Sequence, residues 1–175
     1  MKYRSIVISG PVASGSTTAA KLLSQKLKIP YKSAGDFFRD YMLLHNIPLP
    51  EKEKIPDKVE KKVDEELTQL ANNKSIIIDG LYTGYFARKN PQVLKVLVTC
   101  NEEERIKRAL SRTHTHKETA EDVKKRDRAH DVKFRKLYAS ENFLDPKFFD
   151  LVIDTTNKES EYVAEKIVQR FKEEG

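Results

Sequence analysis

Four short segments of the chain are almost continuously hydrophobic and rich in β-branched residues. They are Ser5–Ser9, Ser75–Asp79, Val93–Thr99 and Asp150–Asp154. Short apolar runs without alternation indicate strands that are buried on both faces, as in a parallel sheet. A fifth, shorter strand is predicted at Pro30–Lys32.

The segments between these strands carry apolar residues at helical spacing. Helices are predicted at Thr17–Leu27, Ala34–His45, Asp57–Ala71, Glu102–Ser111, Ala120–Tyr138 and Ser160–Lys172. Asn46–Pro56, which contains three prolines, is expected to be a loop, and Thr113–Thr119 is expected to be a bend between two charged helices. The alternation of strands and helices predicts a three-layer α/β fold around a parallel sheet.

Length and composition are typical of one globular domain that spans residues 1–175. No apolar run approaches the roughly 18 residues of a membrane span, and the N-terminus leads into a strand rather than reading as a signal peptide. The single cysteine, Cys100, excludes an internal disulfide and is predicted to be a buried thiol, because it ends an apolar run. A cytoplasmic location is therefore expected.

The positive charge of the chain is concentrated in one segment. Residues 105–136 contain 12 Lys/Arg and 5 Asp/Glu, a net charge of +7, whereas the rest of the chain carries −1 against a total of +6. Such a concentration attracts anions, and nucleotide phosphates, RNA or an acidic partner would all fit. The alternative is a solvated helix surface, where Lys and Arg are common.

A glycine-containing loop connects the first strand to the first helix. It reads Gly10-Pro11-Val12-Ala13-Ser14-Gly15-Ser16-Thr17-Thr18. Strand, loop and helix in this order, with the glycines five positions apart, indicate a P-loop, whose backbone N–H groups bind the phosphates of a nucleotide. Thr17 has the position of the hydroxyl that binds Mg²⁺. The loop is therefore predicted to bind ATP; the structural alternative is a glycine-containing turn that binds no phosphate.

Position 16 departs from the P-loop pattern, because Ser16 stands where lysine is usual. That lysine normally contacts the β- and γ-phosphates and stabilises charge during transfer. Either another cation compensates, or the protein binds nucleotide and turns it over poorly. Lys21 is the local candidate, since it shares the helix face of Thr17; a lid arginine is the other.

Two further strand ends carry residues suited to an acceptor phosphate. Ser33 and Gly35 begin a helix, and Arg39 follows one turn later, where its guanidinium could hold a second phosphate. Asp79 and Gly80 end a strand, at the sheet edge where open α/β folds bind ligands, and an acid there could hold a Mg²⁺-bound water. A capped helix with a surface arginine, and an acid that closes a turn, are the structural alternatives.

The basic segment offers arginines on two helices. They are Arg105, Arg108 and Arg112, which share one face, and then Arg126, Arg128 and Arg135. A hinged pair of basic helices could close over phosphates and exclude water. His114, His116 and His130 are not expected to bind a metal, because two histidines in a bend are a weak signal for a metal site.

Nearly the whole chain, with these pieces in this order, resembles nucleoside monophosphate kinases, and among them the compact cytidylate kinases of archaeal type. The resemblance rests on Gly10–Thr18, Ser33–Arg39, Ile76–Gly80, Arg105–Arg112, Lys125–Tyr138 and Phe149–Thr155. It implies a P-loop NTPase fold with a five-stranded parallel sheet and a helical lid. Residues 33–72 would then bind the monophosphate and residues 112–135 would form the lid.

The resemblance also implies a reaction, the transfer of phosphate from ATP to CMP or dCMP with Mg²⁺. Arg112 and Arg126 match the lid arginines of that family, with Arg128 beside them, and Arg39 matches the arginine that grips the acceptor phosphate. Small nucleotides are the expected partners of a monomeric enzyme, and RNA is the less favoured one.

Three positions differ from the family pattern. Ser16 replaces the loop lysine, Leu81 follows Asp79-Gly80 where arginine is common, and Ala129-His130 replaces a Ser-Glu pair. Three hypotheses follow: an active monophosphate kinase, a nucleotide- or RNA-binding protein with little turnover, and a kinase of another small acceptor.

Overall fold

A parallel sheet of five strands forms the centre of the molecule. The structure is a computed structural model that describes residues 2–112 and 118–173, with the side chains of all of these except residues 49 and 50. The strands are β1 (Ser5–Ser9), β2 (Tyr31–Ser33), β3 (Ile77–Asp79), β4 (Val93–Thr99) and β5 (Leu151–Asp154). Their order is β2-β3-β1-β4-β5, and every pairing is parallel.

Helices cover both faces of this sheet. They are α1 (Ser16–Leu27), α2 (Ala34–Leu44), α3 (Asp57–Asn73), α4 (Thr83–Phe86), α5 (Glu102–Leu110), α6 (Ala120–Leu137) and α7 (Ser160–Lys172). The strands of the sheet centre are largely apolar because both of their faces are buried. Ile6 and Ile8 of β1 pack into the core with α1 and α7, and Val7 packs into the core with α2 and α3.

The predicted α/β fold with a five-stranded parallel sheet is confirmed. Asn46–Pro56, however, is not wholly a loop, because Leu49–Lys54 forms 3₁₀ turns. The prediction of a buried thiol at Cys100 is wrong, because Cys100 is partly exposed at the point where β4 has ended. Residues 113–117 of the predicted bend, with His114 and His116, lie outside the described residues.

An aromatic cluster joins the helix α4, which the sequence did not predict, to α6. Tyr82 and Tyr85 are buried there against Phe134 and Phe143, and the ring centroids of Tyr82 and Phe143 lie 4.9 Å apart. Tyr82, Tyr85 and Phe86 therefore pack within this cluster. No helix within 2–112 or 118–173 combines the length and the hydrophobicity needed to cross a membrane.

Candidate functional site

The glycine loop lies at the carboxyl ends of the strands, between β1 and α1, and its nine residues 10–18 all line one cleft. Gly10 is required by close packing, because a Cβ at this position would lie 2.6 Å from the carbonyl oxygen of Val98. Gly15 has φ +95° at the start of α1, a conformation that glycine adopts without strain. The backbone N–H groups at the N-terminus of α1 therefore have the setting of an anion site.

Two side chains from distant helices hold the tip of this loop. Arg105 of α5 donates to the carbonyl oxygen of Val12 at 2.9 Å and pairs with Asp127 of α6 at 2.6 Å. Asp127 in turn accepts from the Val12 N–H at 3.1 Å. Arg105 is 8% exposed, and its guanidinium therefore supports the loop backbone instead of lining the cleft.

Asp79 and Thr17 meet on the floor of the cleft. The Thr17 hydroxyl donates to the Asp79 carboxylate at 2.5 Å. Burial raises the pKa of Asp79, while hydrogen bonds from Thr17 and Ser16 oppose that shift. A carboxylate beside a hydroxyl, at the entrance to a phosphate loop, is the kind of oxygen donor set that Mg²⁺ prefers.

The acceptor residues predicted from Ser33 to Arg39 divide into two groups. Ser33 caps α2, since its hydroxyl accepts from the backbone N–H of Asp36 at 3.3 Å, and it lies outside the lining of the cleft. Gly35 and Arg39 line the cleft, as does Gly80 after β3. Arg39 forms an ion pair with Asp36, and a phosphate would have to compete with this carboxylate.

The four predicted catalytic cations also divide. Arg112 and Arg126 line the cleft, and Arg126 forms an ion pair with Glu118. Burial lowers the pKa of Arg112, and Glu118 opposes this effect. Arg128 pairs with Glu121 at 2.6 Å with both side chains mostly exposed.

Lys21, the fourth predicted cation, is exposed on α1 and lies outside the cleft lining. Its place on the helix face of Thr17 does not bring its side chain to the phosphate loop. Of the two sources considered for the missing charge, the structure therefore brings only the lid arginines to the cleft.

Known proteins resemble this chain over nearly its full length. A family model described as an AAA domain matches residues 6–130. The cytidylate kinase of Sulfolobus acidocaldarius is 35% identical over 167 residues, which cover 93% of this chain and 91% of that protein. The cytidylate kinase of Sulfurisphaera tokodaii is 31% identical over 170 residues, which cover 95% and 93% of the two chains.

The chain belongs to the cytidylate kinase family. The prediction of a P-loop kinase of the nucleoside monophosphate kinase type is thereby confirmed. Among solved structures, an uncharacterized protein from Eubacterium ventriosum matches with a TM-score of 0.71 at 18% identity, covering 97% of this chain and 99% of its own. Shikimate kinase from Acinetobacter baumannii matches with a TM-score of 0.63 at 15% identity, covering 96% and 92%. Both similarities support the fold alone.

Three polar residues of this cytidylate kinase family member line the cleft although none of them was predicted to be a site residue. They are Lys52 of the 3₁₀ turns, Asp64 of α3 and His130 of α6. Burial lowers the pKa of His130 well below its ordinary value, with Lys52 and Arg126 contributing, so the imidazole is neutral at pH 7. The three residues lie in charged, amphipathic segments, where local sequence carries no signal for a site.

A second cavity, which was not predicted, also borders Gly15. It is lined by Gly15, Thr18, Ala19, Glu104, Lys107, Arg108, Val163 and residues 155–160. Arg108 donates to the Thr155 carbonyl oxygen at 2.6 Å and pairs with Glu104 at 3.1 Å. Arg108, expected at the phosphates, thus fixes the loop after β5 that borders this cavity.

Most of the positive charges that the structure describes in the basic segment 105–136 are neutralised by ion pairs within the protein. Several of its cations pair with acids from outside the segment; these pairs are Lys107 and Arg108 with Glu104, Lys124 with Glu102, Lys133 with Asp57 and Glu60, and Lys136 with Asp57. Others pair within the segment, as Arg135 does with Asp131 at 2.8 Å. The net charge of this segment therefore overstates the anion-binding surface that it offers.

Proposed function

We propose that this protein phosphorylates CMP and dCMP to CDP and dCDP with ATP as the donor. The observation that carries the proposal is the convergence on one cleft of the glycine loop with Arg39, Arg112 and Arg126. Cations from three separate elements around one phosphate loop suit two phosphate groups that react with each other. The names of the archaeal relatives support a cytidine nucleotide as the acceptor.

The chemistry needs positioning and charge neutralisation. An oxygen of the acceptor phosphate attacks the γ-phosphorus of ATP, a new P–O bond forms, the bond to the β–γ bridging oxygen breaks, and ADP leaves. The nucleophile is already an anion near neutral pH, because the second pKa of a phosphate monoester is about 6. A general base is therefore unnecessary, which accounts for a site built from arginines and backbone amides.

Mg²⁺ fits the pair of oxygen donors that Thr17 and Asp79 provide. The hydroxyl and the carboxylate are 2.5 Å apart and both line the cleft, and Mg²⁺ in kinases takes few protein ligands beside phosphates and water. When bound, the ion neutralises charge on the transferring phosphates.

The charge of the absent loop lysine is supplied, in this proposal, by Arg112 and Arg126. Within the described residues, the cations that line the cleft are Arg39, Lys52, Arg112 and Arg126. Arg39 belongs to the acceptor side, next to Gly35. Arg112 and Arg126 flank the bend of the predicted lid at residues 112–135, so lid closure would bring both guanidinium groups onto the donor phosphates.

The two cavities suggest how donor and acceptor are divided. Both border Gly15, so phosphates in the loop can connect them. The first cleft, with Gly35 and Arg39 in the region 33–72, suits the acceptor, and the second, beside Thr18 and Arg108, suits the nucleoside of ATP. We propose a monomer acting in the cytoplasm, in keeping with a single free cysteine.

An activity screen tests the proposal. Purified protein is incubated with ATP, Mg²⁺ and each of CMP, dCMP, UMP, AMP and GMP, and ADP release is followed. We expect CMP and dCMP to react fastest, and Asp79→Asn to reduce turnover by about 10²-fold or more without loss of fold. The matched control is Asp154→Asn, an acid that ends β5 outside both cavities.

No ADP release above background with any monophosphate would overturn the proposal. Calorimetry would then distinguish the remaining hypotheses. ATP binding without turnover would mean that the chain is a nucleotide-binding protein. Turnover with a small acceptor other than a nucleotide would mean a different kinase.

A further inference from the structure

The part of the cleft beyond Arg39 combines apolar walls with two opposite charges. Phe38 and Met42 of α2 and Tyr82 supply the walls, and Lys52 and Asp64 supply the charged groups. Phe38 directly precedes Arg39 in the sequence. Because Arg39 lines the same cleft, a nucleotide held there by its phosphate has these walls available to its base.

Lys52 is held in place by its surroundings. Its Nζ lies 4.5 Å from the ring centroid of Phe38 and 3.5 Å from an oxygen of Glu60. Glu60 is 1% exposed and shared, because Lys133 contacts its other oxygen at 2.9 Å. Lys52 is thus a preoriented cation whose partner is already neutralised by a second lysine.

Asp64 is fixed on the facing helix. It is 5% exposed, and its Oδ2 accepts from the Tyr138 hydroxyl at 2.7 Å. Within residues 2–112 and 118–173, Tyr138 is the one residue that donates a hydrogen bond to the carboxylate of Asp64. A carboxylate has two acceptor oxygens, so Asp64 can still accept from a ligand in the cleft.

The Asp64 carboxylate accepts hydrogen bonds and the Lys52 ammonium donates them. Together they complement the edge of a base that has a donor next to an acceptor, and they do not complement other edges. Cytosine offers its exocyclic amino group next to a ring nitrogen and a carbonyl, which are acceptors, and acids characteristically accept from that amino group. Uracil has a carbonyl in place of the amino group, and its oxygen would face the carboxylate of Asp64 without a proton between them. Burial between aromatic and apolar side chains makes such an unpaired contact costly.

We propose that Asp64 and Lys52 select the acceptor base, with Asp64 accepting from an exocyclic amino group and Lys52 donating to the neighbouring ring nitrogen or carbonyl. This inference rests on the proposed function and specifies which residues distinguish cytosine, which has an exocyclic amino group, from uracil, which has none. It predicts a strong preference for CMP over UMP. Asp64 and Lys52 contact the base and take no part in the transfer itself.

The test exchanges the acceptor atom at position 64. Asp64→Asn keeps the shape of the side chain but offers an N–H donor that can face the uracil carbonyl. We expect the ratio of kcat/KM for CMP to that for UMP to fall about tenfold or more, mainly through KM, with the KM for ATP unchanged. Calorimetric titration with CMP and UMP in the absence of ATP should show the same change in the ratio of Kd values.

Two further variants complete the test. Glu65→Gln is the matched control, since Glu65 is exposed on the same helix and its loss should leave the CMP to UMP ratio unchanged. Lys52→Met should raise the KM for CMP about tenfold while the KM for ATP stays constant. This variant also decides the matter if Asp64→Asn fails to fold, and Lys54→Met, an exposed lysine of the same turns, is its control.

The outcomes separate this inference from the proposed function. Phosphorylation of CMP with an unchanged CMP to UMP ratio in Asp64→Asn and an unchanged KM for CMP in Lys52→Met would overturn the inference alone. A wild-type protein that phosphorylates CMP and UMP equally would also overturn it. Failure of the wild-type protein to bind any monophosphate would overturn both.

Discussion

Replacing Arg105 by glutamine should destabilise the protein without direct harm to the chemistry. Arg105 would lose its ion pair with Asp127 at 2.6 Å and its hydrogen bond to the Val12 carbonyl at 2.9 Å. Removing one partner of a fully buried pair costs about 3–5 kcal/mol. The side chain of Asp127 is 28% exposed, so water can solvate the carboxylate left behind and the expected cost is about 2–3 kcal/mol.

Thermal unfolding provides the assay. A loss of this size corresponds to a fall in Tm of about 5–10 °C for a chain of this length. A double-mutant cycle with Asp127→Asn should give a coupling energy of about 1–2 kcal/mol, because the two residues share one network with Val12. Lys107→Gln is the control on the same helix, since its side chain is 80% exposed and should change stability by no more than about 0.5 kcal/mol.

The opposite pattern would refute this reasoning. If Arg105→Gln kept the wild-type Tm but abolished turnover, the guanidinium would act on the phosphates, as its place on the predicted basic face first indicated. A moderate loss of turnover that follows the loss of stability is consistent with a structural role.

Three other perturbations have expected outcomes. Lys21→Ala should change kcat less than about twofold, because Lys21 lies outside the cleft. Steady-state kinetics test this, and a tenfold loss of kcat, about 1.4 kcal/mol, would show that Lys21 takes part in the reaction. Arg112→Gln should lower kcat about 10²-fold or more with little change in Tm, and wild-type kcat in this variant would remove it as the source of the missing charge. Burial raises the pKa of Asp64 from 3.8 to about 6, so the native state holds a proton that the unfolded state has lost, and ionisation of Asp64 lowers stability by up to about 3 kcal/mol as pH rises from about 4 to 6. Urea unfolding across this range should show that loss in the wild type and a flatter profile in Asp64→Asn; identical profiles would contradict the assignment.

The strands and the phosphate loop could be predicted because their signals are local. β1 and β4 have the predicted bounds, since continuous apolar runs are specific for buried parallel strands. Gly10 and Gly15 mark the loop through backbone constraints that only glycine satisfies. These features depend on residues that are close together along the chain.

The roles of individual cations could not be predicted, because they depend on partners far away in the sequence. Arg105, Arg108 and Arg112 share a spacing that suggests one face and one function. In the structure, Arg105 supports Val12, Arg108 fixes Thr155, and only Arg112 reaches the cleft. Helical periodicity defines which residues are neighbours on a helix, but it does not define which residues of other elements each of them contacts.

The same limit explains why Lys52 and Asp64 were missed. Lys52 lies in a stretch expected to be a loop, and Asp64 lies on a helix whose charged residues are mostly exposed. Their importance arises from Glu60, Tyr138 and Phe38, which gather around them only in the folded chain. A buried charged residue is informative, but burial at these positions is a property of tertiary structure.

The attachment of Val12 to α5 and α6 limits how this phosphate loop can be reused in protein engineering. The two side chains that satisfy its backbone groups lie 93 and 115 positions further along the chain. A graft of residues 10–18 onto another scaffold would leave those groups unpaired unless an arginine and an aspartate were introduced at matching places. The smallest transplantable unit is therefore a discontinuous set of residues, the loop together with one position on each of two helices.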